Sequence, residues 1–305
     1  MQPVLVPDGV WPAMITPLTT DGAIDWYGVD ALTDWFIAAG VAGLFAVGQS
    51  GEMFKLTDEE RLALAQRVVL RTDGRVPVVA SGTFGGPIAD QAAFIRRMAD
   101  TGVLAVTVIA SEIASPDDNE RTWLEHLDQL LELTHDIPLA LYECPEPYHR
   151  KIAPESLRQA AQTGRFFLMK ETSRSIESVR AKIQAAAGTV LKVYNADATT
   201  LLDSLLSGGN GYCGIAANFY PDLLAWLCAH HQTAPELAVH MQALFGAVDP
   251  VLHYKYPVCA KYYHRHTGIN MLTHSRVNGA VLDDYDRRVL DFIAHLTDQH
   301  RQLVI

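Results

Sequence analysis

Val103-Leu-Ala-Val-Thr-Val-Ile-Ala110 is short, rich in β-branched residues and largely apolar at both odd and even positions. Successive side chains of a strand point to opposite faces, so such a segment suits a strand covered on both sides, as in a parallel sheet. The same texture recurs outward in both directions. Upstream lie Val76-Pro-Val-Val-Ala-Ser-Gly82, Gly43-Leu-Phe-Ala-Val-Gly48 and Gly9-Val-Trp-Pro-Ala-Met-Ile-Thr-Pro17. Downstream lie Ile137-Pro-Leu-Ala-Leu-Tyr142, Phe166-Phe-Leu-Met-Lys170, Val190-Leu-Lys-Val-Tyr194 and Gly211-Tyr-Cys-Gly-Ile-Ala216. Eight such segments separated by helical stretches predict an α/β fold, a closed (β/α)8 TIM barrel, with an open doubly wound sheet as the second choice.

The intervening stretches carry helix signals. Thr57-Asp-Glu-Glu60 fits a capping box, and Leu62, Leu64, Ala65, Val68 and Val69 follow at helical spacing. Ser115-Pro116 reads as an N-cap followed by proline at the first helical position, and Pro154 gives a similar start signal. Beyond about residue 220 the pattern becomes wholly helical. The expected organisation is a barrel over residues 1–220, holding the active site, and a C-terminal helical extension over 221–305 packed on it.

Composition narrows the function. Of 305 residues, 49% are apolar and 19% charged, which supports a large core and excludes global disorder. Subtracting 35 acidic from 24 basic residues gives −11, a poor match for nucleic acid or an anionic membrane. Four scattered cysteines without a CxxC argue against a disulfide framework or zinc knuckle. Met1-Gln-Pro-Val-Leu-Val-Pro-Asp8 has neither a basic start nor a long apolar stretch, and no segment reaches the roughly 18 apolar residues of a membrane span. The expectation is a soluble, cytoplasmic, reduced protein.

In a barrel the C-terminal ends of the strands carry the site, so polar residues that end apolar strands are the ones to inspect. Lys170 directly follows four large apolar residues. It either snorkels off the strand end or is an amine desolvated in the barrel mouth; desolvation disfavours the ammonium and leaves an amine able to form a Schiff base. Lys192, mid-strand, is its competitor and reads as structural. Tyr142 ends Leu139-Ala-Leu-Tyr142 and is either half-buried core or a proton donor beside the lysine. In Val47-Gly48-Gln-Ser50-Gly51-Glu52, two glycines free the backbone so that amides near Ser50, with its hydroxyl, can hold a carboxylate. Two other patterns are set aside. Gly209-Asn-Gly211-Tyr-Cys-Gly214 follows a helix and precedes a strand, the reverse of a dinucleotide fingerprint. His253, His264 and His266 lack metal-ligand spacing and read as surface or packing residues.

Together these motifs resemble the dihydrodipicolinate synthase/N-acetylneuraminate lyase family of Schiff-base aldolases. The order is Gly48-x-Ser50-Gly51-Glu52, Leu56-Thr-x-x-Glu60-Arg61, Tyr142-x-x-Pro145, Lys170-Glu-Thr-Ser173, Gly208-Gly-Asn-Gly211 and Ala217-Asn218, spanning about Gly9 to Asn218. The resemblance implies that Lys170 captures the ketone of a 2-oxo acid, commonly pyruvate, and that Tyr142 moves protons. It also implies that Ser50, with amides including that of Gln49, holds the substrate carboxylate. Thr172 is implied to contact substrate, Asn195, Ala196 and Asp197 to lie in the substrate loop after the seventh strand, and Cys213 to floor the pocket. No metal or organic cofactor is implied, and homodimers or homotetramers are.

The sequence departs from the family pattern in four places. Gln49 replaces a hydroxyl residue, and Glu143 replaces an asparagine. Pro145-Glu-Pro147 lacks the arginine that binds the second substrate's carboxylate in the synthase branch, although Arg150 is near, and Ser111–Ser115 lacks that branch's tyrosine. The function expected is aldol cleavage or condensation through a lysine iminium. The alternatives are dehydration of a 2-keto-3-deoxy sugar acid through the same iminium and, further off, dihydrodipicolinate synthesis or a non-catalytic binding paralogue.

Overall fold

The computed structural model describes residues 6–304; Met1–Leu5, which open the N-terminal stretch considered above, and Ile305 lie outside it. Strand and helix alternate in the order β1 (Gly9–Val10), α1 (Trp26–Ala38), β2 (Leu44–Val47), α2 (Asp58–Thr72), β3 (Val78–Ser81) and α3 (Ile88–Ala99). They continue as β4 (Ala105–Ile109), α4 (Glu120–Thr134), β5 (Leu139–Tyr142), α5 (Pro154–Gln162), β6 (Phe166–Glu171) and α6 (Ile176–Ala186). Then come β7 (Lys192–Asn195), α7 (Leu201–Leu206), β8 (Gly211–Tyr212), α8 (Pro221–His230), α9 (Pro235–Leu252), α10 (Val258–Tyr263) and α11 (Asp284–Val304).

The eight strands are parallel and neighbours in sequence are neighbours in space, with β1 paired to β8. A parallel bridge between Ala13 and Phe45 closes the ring between the first and second units. The TIM barrel expected from the strand–helix alternation is the observed fold. Strands β2 to β5 are buried at every position, which is why their sequences show no polar face. At the β1–β8 seam, Gly211 faces Gly9 so closely that a Cβ on Gly211 would lie 1.9 Å from the Gly9 carbonyl oxygen. Both residues hold φ angles that glycine tolerates best, +144° and +129°.

The capping box at Thr57 is present in full, and Pro154 opens α5. Three expectations are corrected. Regular strand in the first unit is confined to Gly9–Val10, because Pro12 and Pro17 cannot donate to a ladder. Ser115-Pro116 does not start a helix. The Asp118 carboxylate takes the Ser115 N–H at 2.7 Å, the Arg150 guanidinium holds the Asp118 carbonyl at 3.0 Å, and α4 begins after Asn119, whose side chain accepts from Thr122 N–H. The region beyond 220 is not wholly helical either: residues 268–283 run irregularly, with the Arg276 and Val277 amides taken by a buried carboxylate described below. Within that region, α8 packs against β1 and β8 in the position of an eighth barrel helix. No helix among the described residues is long and apolar enough to cross a membrane.

Candidate active site

Strand alternation decides which residues meet. Tyr142 and Lys170 are register partners at the ends of β5 and β6, and both turn inward. The Lys170 amine lies 4.4 Å above the centre of the Tyr142 ring and 5.4 Å from that of Phe45. Lys170 is 3% exposed and pairs with no carboxylate among the described residues. Burial therefore lowers its pKa below the usual lysine value, with the neighbouring Cys213 and Cys144 pulling weakly the other way. The same burial pushes the Tyr142 phenol well above 10, so it stands protonated. Lys192, the competing lysine, is at the opposite end of the barrel, where its amine pairs with Asp8 at 2.7 Å.

Lys170, Tyr142, Gln49, Ser50 and Thr172 all line one cavity of about 530 Å³ at the C-terminal ends of the strands. The Tyr142 hydroxyl donates to Gln49 Oε1 at 3.4 Å. Gln49–Gly51 form a single helical turn, and its first N–H groups have no partner within the turn. Ser50 meets the phenol of Tyr256, which also accepts from Asn218 Nδ2 at 3.1 Å. Thr172 donates its hydroxyl to the Glu143 carbonyl and lies 2.9 Å from His149 Nε2. Cys213, expected to floor the pocket, is instead fully buried beneath the cavity wall, which Gly214 and Ile215 form there; burial pushes its thiol up to about 11.

Asn195 also departs from its expected place. In register it pairs with Glu171, the residue after Lys170, so it belongs to the outward row. Its carboxamide is used up by Thr200 at 3.0 Å and the Asp197 N–H at 2.8 Å. It shapes the loop, while its neighbours Ala196 and Asp197 line the cavity. Arg150 is also absent from the cavity wall, being held by Glu120 at 3.1 Å.

Several cavity residues escaped the sequence reading. His149, Arg174 and Glu146 come from the loops after β5 and β6, and His253, Tyr256, Pro257 and Val277 come from the C-terminal region. Proline at 257 was a signal that the helical pattern breaks there, but not that the break faces the site. Glu52, just past the serine turn, explains how the tail arrives. Its buried carboxylate pairs with Lys261 at 2.6 Å and accepts from Arg276 N–H at 2.5 Å, Val277 N–H at 3.1 Å and the Ser275 hydroxyl at 3.0 Å. Among the histidines set aside earlier, His253 and His266 pair with Asp249 and Asp291 at 3.2 and 2.8 Å.

Comparison with known proteins gives the family and the fold. The model of the Dihydrodipicolinate synthetase family matches residues 6–277. The chain is 34% identical over 219 residues to a 4-hydroxy-tetrahydrodipicolinate synthase of Acidithiobacillus ferrooxidans, covering 71% of this chain and 72% of that one. A protein of the same name from Saccharophagus degradans is 30% identical over 216 residues, with 71% and 72% covered. Among solved structures, a dihydrodipicolinate synthase from Thermotoga maritima superposes with a TM-score of 0.87 at 18% identity over 96% of this chain and 99% of that one. A prophage protein of the dihydrodipicolinic acid synthase family from E. coli K12, in complex with pyruvate, gives 0.85 at 24% over 96% and 98%. Those two structures speak to the fold, and the family match with the curated relatives speaks to kinship. The chain belongs to the Dihydrodipicolinate synthetase family and is an enzyme of its class I, Schiff-base-forming lyases.

Proposed function

We propose that this enzyme captures the ketone of pyruvate or a related 2-oxo acid on Lys170 and then makes or breaks a carbon–carbon bond reversibly. The observation that carries the reading is a buried amine without a counter-ion among the described residues, seated 4.4 Å over the ring of a protonated tyrosine. The neutral amine adds to the ketone carbon. The resulting hydroxyl leaves as water with a proton from the Tyr142 phenol. In the cleavage direction the tyrosinate then takes the proton of the substrate's 4-hydroxyl. The electron pair of the C3–C4 bond flows into the iminium, an aldehyde departs, and the enamine is reprotonated and hydrolysed. The Ser50 hydroxyl and the amides that open its turn hold the carboxylate, with Gln49 orienting the phenol.

A second reading has a specific observation in its favour. His149, Thr172, Ser173 and Asp197 line the cavity with groups suited to a hydroxylated chain, and the position two residues after Pro145 is Pro147, not an arginine. Loss of a C3 proton from the same iminium of a 2-keto-3-deoxy sugar acid would then give an enamine, whose electron pair expels the protonated 4-hydroxyl as water. Association into homodimers or homotetramers belongs to the proposal and is read by light scattering.

The test is borohydride reduction in the presence of pyruvate, followed by a panel of 2-keto-3-deoxy acids. One reduced adduct on Lys170 supports the proposal; an adduct on Lys192, or none with any 2-oxo acid, overturns it. Aldehyde release then identifies the aldolase, and a new 2-oxo acid without fragmentation identifies the dehydratase.

A further inference from the structure

Directly behind the two inward residues lies a cluster that the chemistry above does not use. Glu143 follows Tyr142 and Glu171 follows Lys170, so alternation turns both carboxylates outward, toward α6. There they meet one lysine. Lys182 Nζ lies 2.5 Å from Glu143 Oε1 and 2.8 Å from Glu171 Oε1. The lysine is 1% exposed and both glutamates are fully buried.

We infer that Glu143, Lys182 and Glu171 form a buried ionic clamp that positions Tyr142 against Lys170; the inference rests on the function proposed above. Removing three charges from water is unfavourable, and an apolar trio of similar volume would serve stability as well or better. What the charged trio adds is direction. Its lone pairs are spent on backbone at the mouth of the barrel. Glu143 accepts from Ile152 N–H at 2.7 Å and from Thr172 N–H at 3.2 Å, and Glu171 accepts from Ser173 N–H at 3.1 Å. The carboxylate that follows the tyrosine thereby holds the loop that follows the lysine. The Glu143 carbonyl also receives the Thr172 hydroxyl, to which His149 is joined. Through one side chain, Glu143 fixes the spacing of β5 and β6 and the wall of the cavity. These are positioning residues and touch no substrate.

The test needs only pyruvate. Borohydride trapping gives the concentration at which the iminium saturates, and deuterium exchange into the methyl group gives the turnover of a proton transfer that needs Tyr142 in place. In folded Glu143→Gln, exchange turnover is expected to fall about 10-fold while the saturating concentration stays within about 3-fold, because misplacement of a reacting group slows chemistry more than capture. In Lys182→Met the fall is expected to reach about 100-fold. Glu143→Asn replaces either variant that does not accumulate as folded protein. Unchanged exchange turnover in a folded Glu143 variant, or equal loss in both measurements, overturns the clamp while leaving the proposed function standing. A wild-type protein that captures no 2-oxo acid overturns the function and the clamp with it.

Discussion

Two walls of the cavity are held by buried ion pairs, and they differ in how they are built. The strand wall, carrying Tyr142 and Lys170, is regular β-structure, and its pairs join residues 39 and 11 positions apart. The tail wall, carrying Tyr256, Pro257 and Val277, is irregular chain, and its pair joins Glu52 to Lys261 across 209 positions. The strand wall carries the proposed reacting groups on a scaffold whose spacing the barrel already sets. The tail wall closes the cavity over the Gln49–Gly51 turn, and it stays there because Glu52 takes the amides of Arg276 and Val277. Under the proposed function, chemistry is set by the strands and the fit of the substrate by a long-range tether.

The sharpest contrast comes from the strand wall. Lys170→Met is expected to abolish borohydride trapping and to lower turnover by on the order of 10^4-fold or more, since the proposed iminium forms on that amine. A residual adduct elsewhere would move the chemistry off this wall. Tyr142→Phe is expected to cost about 10^2- to 10^3-fold in turnover with iminium formation far less affected, as loss of a general acid should. Equal losses in both steps would make the tyrosine a packing residue.

The tail wall should respond in a different quantity. Glu52→Gln leaves the buried Lys261 ammonium without its counter-charge, a change worth about 3 kcal/mol of unfolding free energy in urea. It is also expected to raise the saturating 2-oxo acid concentration about 10-fold with smaller change in turnover. A turnover loss as large as that of Tyr142→Phe would erase the distinction between the walls. The smallest effect is in the pH profile. Lys170 titrates below 10.5 because burial disfavours its charged form, so the free amine appears at lower pH than for an ordinary lysine. The initial trapping rate should climb with pH through that lowered value and level off before 10.5; a rate still climbing there would mean a solvated amine.

Legibility follows the same division. The barrel could be read because eight segments buried on both faces leave a local signature, and Lys170, Tyr142 and Ser50 could be read because each ends or follows such a segment. Asn195 looked equivalent, but its row depends on the pairing of β6 with β7, which puts it beside Glu171. One residue of register separates a cavity residue from a loop brace. Tyr256 and Val277 had no local signature, since their place is set by Glu52, whose own role looked like the end of a glycine motif. Glu143 read as a departure from a family pattern, and its meaning needed Lys182, a residue unremarkable on its helix.

The seam between the first and last strands carries one more consequence. With the Gly9 carbonyl oxygen 1.9 Å from where a methyl on Gly211 would sit, the ring meets backbone to backbone there and has no slack. A single alanine at that point would have to pry the stave from its neighbour and admit solvent to the interior, so an enzyme that relies on a dry nitrogen could be quenched by wetting from a position that never approaches a reactant.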